Sequence, residues 1–153
     1  MSADQVMQGL HLTADLQGCP GSHPWMCDIG SLREACTAWV AHVGLKPVGE
    51  CFHAFAPLGP GQQGGVTGMV LLAESHLAVH TWPELGGVTL DVYVCNLNGD
   101  NSGRAEGLLA ALEEAFGARG AERHRLQRGG PRGRGGRRRQ RATARRARCR
   151  RTQ

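Results

Sequence analysis

"VTLDVYVCNL", residues 88 to 97, puts Val88, Leu90, Val92 and Val94 on one side of an extended chain and Thr89, Asp91, Tyr93 and Cys95 on the other. Side chains alternate across a strand, so this period of two marks a strand with one buried face and one chemically mixed face. "LHLTADLQGC", residues 10 to 19, repeats the pattern, with Leu10, Leu12, Ala14 and Leu16 set against His11, Thr13, Asp15 and Gln17. Two such strands point to an antiparallel sheet covered on one face only.

The intervening segments fill out that sheet. "DIGSLREACTAWVAHVG" (28 to 44) spaces Leu32, Cys36, Trp39, Val40 and Val43 at helical intervals, with Ser31 as the expected cap, Glu34 three residues on and Gly44 as the stop. "KPVGECFHAFAPL" (46 to 58) reads as a strand and "GPGQQGG" (59 to 65) as a flexible turn. Residues 66 to 84 read as two strand segments with a break near Glu74. "SGRAEGLLAALEEAFG" (102 to 117) forms a second amphipathic helix, with Ala105, Leu108, Leu109, Leu112 and Phe116 as its stripe and Ser102 as its cap. The order β-α-β-β-β-α predicts an α+β fold, a two-layer α/β sandwich whose antiparallel sheet carries two helices on one face.

The 153 residues, 41% of them apolar, suit one domain with a single core. The net charge of +5 conceals two opposed parts. Residues 119 to 153 hold fifteen of the eighteen basic residues and one acid, whereas residues 1 to 118 hold three bases against twelve acids. Self-repulsion and the scarcity of aliphatic side chains predict a disordered Arg/Gly-rich tail over 119 to 153. That tail could contact nucleic acid through phosphates, but it has no aromatic residue to stack on bases and the acidic body repels a polyanion, so nucleic acid is not the expected partner. No run of 18 apolar residues occurs, and "MSADQVMQGLHLTAD" lacks the basic start and apolar stretch of a secretion signal, so a cytoplasmic location without membrane contact is expected.

Six cysteines form no CxxC pair, which argues against a disulfide framework in a reducing compartment. Cys19, His23 and Cys27 recur every four residues, but "GCPGSHP" breaks any helix that would align them on zinc. No metal is expected.

The remaining chemistry lies in "LLAESHLAVHTWPE" (71 to 84), where Glu74, Ser75, His76 and His80 interrupt an apolar strand. A serine hydroxyl can attack the peptide carbonyl before it and convert the amide to an ester. A nearby base then removes the serine Cα proton and expels the upstream carboxylate. The product is dehydroalanine, which becomes a pyruvoyl group. That electrophilic ketone condenses with a substrate amine as a Schiff base and accepts the electrons released by decarboxylation.

"AESHLAVHTWPE" followed by "DVYVC" resembles the processing site of the prokaryotic S-adenosylmethionine decarboxylase proenzymes, and "GLHLTADLQGC" resembles that family's opening strand. The similarity runs from about Gly9 to Phe116, which makes residues 1 to 118 the expected pyruvoyl-dependent decarboxylase domain. The resemblance implies cleavage between Glu74 and Ser75, conversion of Ser75 to the pyruvoyl group, His80 as the processing histidine and Cys95 as the catalytic cysteine. It further implies that the Thr67 hydroxyl assists processing, Phe55 stacks on the adenine ring and Glu84 binds the ribose hydroxyls. The implied activity converts S-adenosylmethionine to its decarboxylated form for polyamine (spermidine) biosynthesis, in a homo-oligomer of cleaved chains with active sites near the interface. Relatives with this processing motif act on ornithine or arginine, which stand as the alternative substrates. The chain departs from the family's pattern in its long "LGPGQQGG" loop, in Ala54, where a basic residue is common, and in the Arg-rich tail.

Overall fold

A computed structural model describes residues 8 to 130. Their elements are β1 (Gln8–Gln17), α1 (Pro24–Cys27), α2 (Ile29–His42), β2 (Pro47–Ala54), β3 (Val66–Leu72), β4 (Ser75–Trp82), β5 (Gly87–Cys95), α3 (Ser102–Ala115) and β6 (Gly120–Gly129). The six strands form one sheet in the order β2-β3-β4-β5-β1-β6, with every neighbour antiparallel. Helices α2 and α3 pack against the same face, giving the α+β sandwich that the alternating strands predict.

The centre of the sheet is the β1–β5 ladder. Leu10 faces Val94, Leu12 faces Val92, Ala14 faces Leu90 and Leu16 faces Val88, and all eight are between 0 and 5% exposed. Leu32, Cys36 and Val40 of α2, together with Ala105, Leu108, Leu109 and Leu112 of α3 and nearby Phe116, close over them. Removing one such side chain, as in Leu90→Ala, costs roughly 2–5 kcal/mol because the cavity collapses only in part. Strand β4 alternates likewise, with Leu77, Val79 and Thr81 buried under the helices. Its other side carries His76, Ala78 and His80, part of a sheet face that no helix among the described residues covers.

The break near Glu74 is a tight connection of two residues, Ala73 and Glu74, between β3 and β4. The helix caps differ from those expected. Asp28 caps α2, its Oδ1 accepting from Ser31 N–H at 2.6 Å, because a carboxylate one turn earlier reaches the first free amides. Asn101 occupies the cap of α3, while its own side-chain amide donates to the Cys95 carbonyl at 2.9 Å.

The larger correction concerns the basic segment. Its first part, Gly120–Gly129, is an edge strand that pairs with β1 from Gln8↔Gly129 to Gln17↔Gly120. Backbone pairing and charge complementarity replace the missing apolar residues. Arg123 Nε donates to both Glu113 carboxylate oxygens at 2.8 Å, Arg125 meets Glu106 at 3.1 Å, and the Arg128 guanidinium lies 4.5 Å from the Tyr93 ring centroid. The rest of the expected tail, 131 to 153, lies outside the described residues.

Ending the chain at Gly117 therefore strips β1 of a full ladder and leaves Glu113, 8% exposed, without its cation. A chain ending at Gly130 should melt at least about 10 °C above one ending at Gly117, since several lost hydrogen bonds and an unpaired carboxylate amount to a few kcal/mol. Equal melting temperatures by calorimetry would show that β6 adds nothing to the fold.

Candidate active site

Three hydrogen bonds hold the Ala73–Glu74 turn. The Glu74 carbonyl accepts from Cys95 N–H at 2.8 Å, its carboxylate accepts from Lys46 N–H at 3.1 Å, and Ala73 N–H donates to the Lys46 carbonyl at 2.8 Å. The peptide between Glu74 and Ser75 is thus fixed at its carbonyl end, with a backbone N–H already on the oxygen that would carry charge during attack. One backbone donor of the kind an oxyanion hole uses is thus in place.

Ser75 opens β4 and pairs with Val94. That register puts it on the helix side of the sheet, whereas His76, His80 and Cys95 belong to the uncovered side. At the first residue of the strand the hydroxyl still comes within 3.2 Å of His76 Nδ1. His76 Nε2 lies 3.4 Å from Asp91 Oδ1, which also meets His11 Nε2 at 2.7 Å. Tyr93 sits beside both imidazoles, with ring centroids 5.6 Å from His11 and 5.8 Å from His76. Its ring lies so close to Gly9 that a Cβ there would meet it at 2.8 Å. Three strands, β1, β4 and β5, build this cluster.

A second group gathers at the other end of β4. His80 faces Thr67 across the β3–β4 ladder, and Thr67 Oγ1 lies 2.6 Å from His80 Nδ1. The His80 and Trp82 rings are tilted by 30° at 6.0 Å. His80, Trp82, Phe55, Leu58, Gly65 and Glu84 line a cleft of about 350 Å³, within the size range of small-molecule sites. The loop after β2, expected to be a flexible turn, closes tightly here. Any side chain at Gly64 would strike the Phe55 carbonyl, and one at Gly65 the Thr81 carbonyl. Cys27 borders this region and donates to Gln63 Oε1 at 2.8 Å. Burial, and then the Glu84 charge, push its thiol above the usual range.

The sequence-derived residues thus fall into two sets, Glu74, Ser75 and Cys95 at one end of the sheet and Thr67, His80, Phe55 and Glu84 at the other. Ser75 and His80 stand five residues apart on one strand, about 16 Å at 3.3 Å per residue. Sequence reading assigned no role to His11, His76 or Asp91. The alternation of polar residues on β1 and β5 signals them, but their meeting depends on strand register. Cys19, His23 and Cys27 diverge: Cys19 is buried, His23 Nδ1 accepts from Trp25 N–H at 3.2 Å and Cys27 serves Gln63. Among the described residues, no group of three His, Cys, Asp or Glu side chains is arranged to hold a metal ion. No helix there is long and apolar enough to cross a membrane.

Residues 10–129 match the protein-family model described as S-adenosylmethionine decarboxylase. The chain is 36% identical over 121 residues to an S-adenosylmethionine decarboxylase proenzyme of Acidithiobacillus ferrooxidans, covering 79% of this chain and 82% of that one. It is 39% identical over 87 residues to the proenzyme of Moorella thermoacetica, covering 57% of this chain and 63% of that protein. The crystal structure of the adenosylmethionine decarboxylase from Aquifex aeolicus superposes with a TM-score of 0.66 at 30% identity, covering 77% of this chain and 88% of that one.

The short Thr67–His80 contact gives a direct test of the second group. Thr67→Val keeps the shape but removes the hydroxyl, and if the chain cleaves itself with help from this pair, it should slow conversion to two fragments at least tenfold, while Thr67→Ser should process normally. Equal rates for all three proteins on denaturing gels would show that the hydroxyl plays no part.

Proposed function

Because the chain belongs to the S-adenosylmethionine decarboxylase family, we propose that it cleaves itself between Glu74 and Ser75 and then decarboxylates S-adenosylmethionine, in the cytoplasm, for polyamine synthesis. The observation that carries this reading is the Glu74 carbonyl held by Cys95 N–H beside the Ser75 hydroxyl. Attack by Ser75 Oγ makes a carbon–oxygen bond as the Glu74 carbonyl becomes an oxyanion, and breaking the carbon–nitrogen bond leaves an ester and a free amine. A base then takes the Ser75 Cα proton, and the Glu74 carboxylate leaves. We assign that base to His80, oriented by Thr67. Water releases the nitrogen as ammonia, and residue 75 ends as a pyruvoyl group.

The site suits such a group, since it forms at the first residue of a strand whose link to Glu74 is then cut, and a neighbouring backbone N–H and thiol remain. It supplies a carbonyl beside an amide, an acceptor for the electrons left when the substrate carboxylate departs as carbon dioxide. The substrate carbon must then regain a proton, and we assign its delivery to the Cys95 thiol. Once cut from Glu74, the start of β4 is free to swing towards the uncovered face that carries Cys95.

Phe55, Trp82 and Glu84 favour a nucleoside over ornithine or arginine. Exposed by 53%, Phe55 offers a ring face for stacking, and a carboxylate is a strong acceptor for ribose hydroxyls. The separation of about 16 Å along β4 implies that His80 and Ser75 of one chain do not serve each other. A two-fold dimer packed through the uncovered sheet face would bring the Ser75 end of one chain to the His80 end of its partner. Met69, 39% exposed, and Leu71, 47% exposed, give that face apolar surface to bury.

Three measurements test this reading. Carbon dioxide release should be fastest from S-adenosylmethionine, and Glu84→Gln should raise its KM several-fold; release from ornithine or arginine alone would overturn the nucleoside assignment. Cys95→Ala should still form two fragments but turn over roughly 10²–10⁴-fold more slowly, and unchanged turnover would remove the thiol from the reaction. Co-expressed Ser75→Ala and His80→Ala chains should complement, so that the His80→Ala chain is cut in the mixture although neither variant is cut alone. No cutting in a mixture shown to contain mixed dimers would refute the shared site.

A further inference from the structure

Self-cleavage has two proton-transfer stages, and the geometry separates the groups available to them. The first needs a base on Ser75 Oγ, the second a base on Ser75 Cα. His80 lies about 16 Å along the strand from Ser75 of its own chain, whereas His76 Nδ1 is already 3.2 Å from the hydroxyl. We propose that His76 is the base of the first stage and that Asp91, braced by His11, is its positioning residue. This inference rests on the self-cleaving reading above and assigns a step which that reading leaves without a base.

The Asp91 carboxylate favours one tautomer. Its Oδ1 accepts from His11 Nε2 at 2.7 Å and lies 3.4 Å from His76 Nε2, an ion-pair contact that favours the proton on that nitrogen. With its proton on Nε2, His76 presents a bare lone pair at Nδ1, the atom that faces Ser75. Serine, imidazole and carboxylate thus stand in the sequence used by hydrolases, with the nitrogens exchanged. Tyr93 packs against both imidazoles and limits their rotation.

In the step itself, Ser75 Oγ–H gives its proton to His76 Nδ1 as the Oγ–carbon bond to Glu74 forms. The carbonyl electron pair moves to oxygen, where Cys95 N–H receives it. Collapse of the oxyanion breaks the carbon–nitrogen bond, and the Nδ1 proton passes to the departing Ser75 nitrogen. The imidazole ends neutral, ready for no further part, while the ester awaits His80.

Hydroxylamine cleaves esters but spares the peptide, so it reports the first stage alone. The His80→Ala chain should accumulate a hydroxylamine-sensitive link at Glu74–Ser75. Adding His76→Gln should suppress that sensitivity about 10²-fold or more, and adding Asp91→Asn instead should slow its appearance at least tenfold. In the otherwise normal chain, His76→Gln should leave uncut amide with no ester and Asp91→Asn should be cut at least tenfold more slowly, both melting within a few degrees of the parent. Ester formation at the parental rate in His80→Ala/His76→Gln would overturn the role of His76, and the same result with Asp91→Asn would overturn its positioning. Should the double variant with His76→Gln fail to fold, the Asp91→Asn series carries the test alone. If His80→Ala by itself gives no ester while still folded, it is the two-stage reading that fails and not the identity of its first base.

Discussion

Everything in this molecule hangs on the pairing of β1 with β5. Eight aliphatic side chains meet on its helix side with no more than 5% exposure, and the intervening residues must then project to the opposite face. A slip of one residue would exchange Val92 for Asp91 and send a carboxylate under the helices, at a cost of several kcal/mol. The hydrophobic demand on one side of the sheet therefore fixes the positions of His11, Asp91, Tyr93 and Cys95 on the other. Chemistry on the open face needs no separate positioning device.

That division of labour explains why the reactive residues can be so polar without an unmet polar group beneath them. Thr81 is the one buried hydroxyl of β4, and its Oγ1 donates to the Met26 carbonyl at 2.8 Å and accepts from Val66 N–H at 2.8 Å. Cys36 sits fully buried in α2, where burial pushes its thiol up to about 12 and leaves it inert, whereas Cys95 stays half-buried at the sheet surface. Two cysteines of equal chemistry thus differ in accessibility by where the fold places them.

Most of the sheet was legible because period two and period 3.6 are strong signals in β1, β4, β5, α2 and α3. Strand β6 was not, since an edge strand exposed along most of its length has no apolar alternation to display. Its Arg123 and Arg125 look like solvated tail until the partners Glu113 and Glu106 are seen. Ser75, His80 and Cys95, the residues proposed for the chemistry, stand out by their spacing on a recognisable motif, and Phe55 and Glu84 line one cleft. The His11–Asp91 contact spans 80 positions of sequence and exists only through register, so no local pattern reveals it. The caps lie three positions and one position before the expected Ser31 and Ser102, because Ser, Asp and Asn near a helix start compete for the same amides.

The strand order carries a consequence for a chain cut at residue 74. Fragment 1–74 contributes β1, β2 and β3, and fragment 75–153 contributes β4, β5 and β6, so in the order β2-β3-β4-β5-β1-β6 the two pieces interleave. β1 is a finger of the first piece gripped on both sides by the second, through β5 and β6. Parting them would tear three separate seams, β3–β4, β5–β1 and β1–β6, and open the core beneath. A cut there would act as a hinge pin withdrawn from a closed box: it would free one strand end, while the two polypeptides would stay locked as a single body without any covalent bond between them.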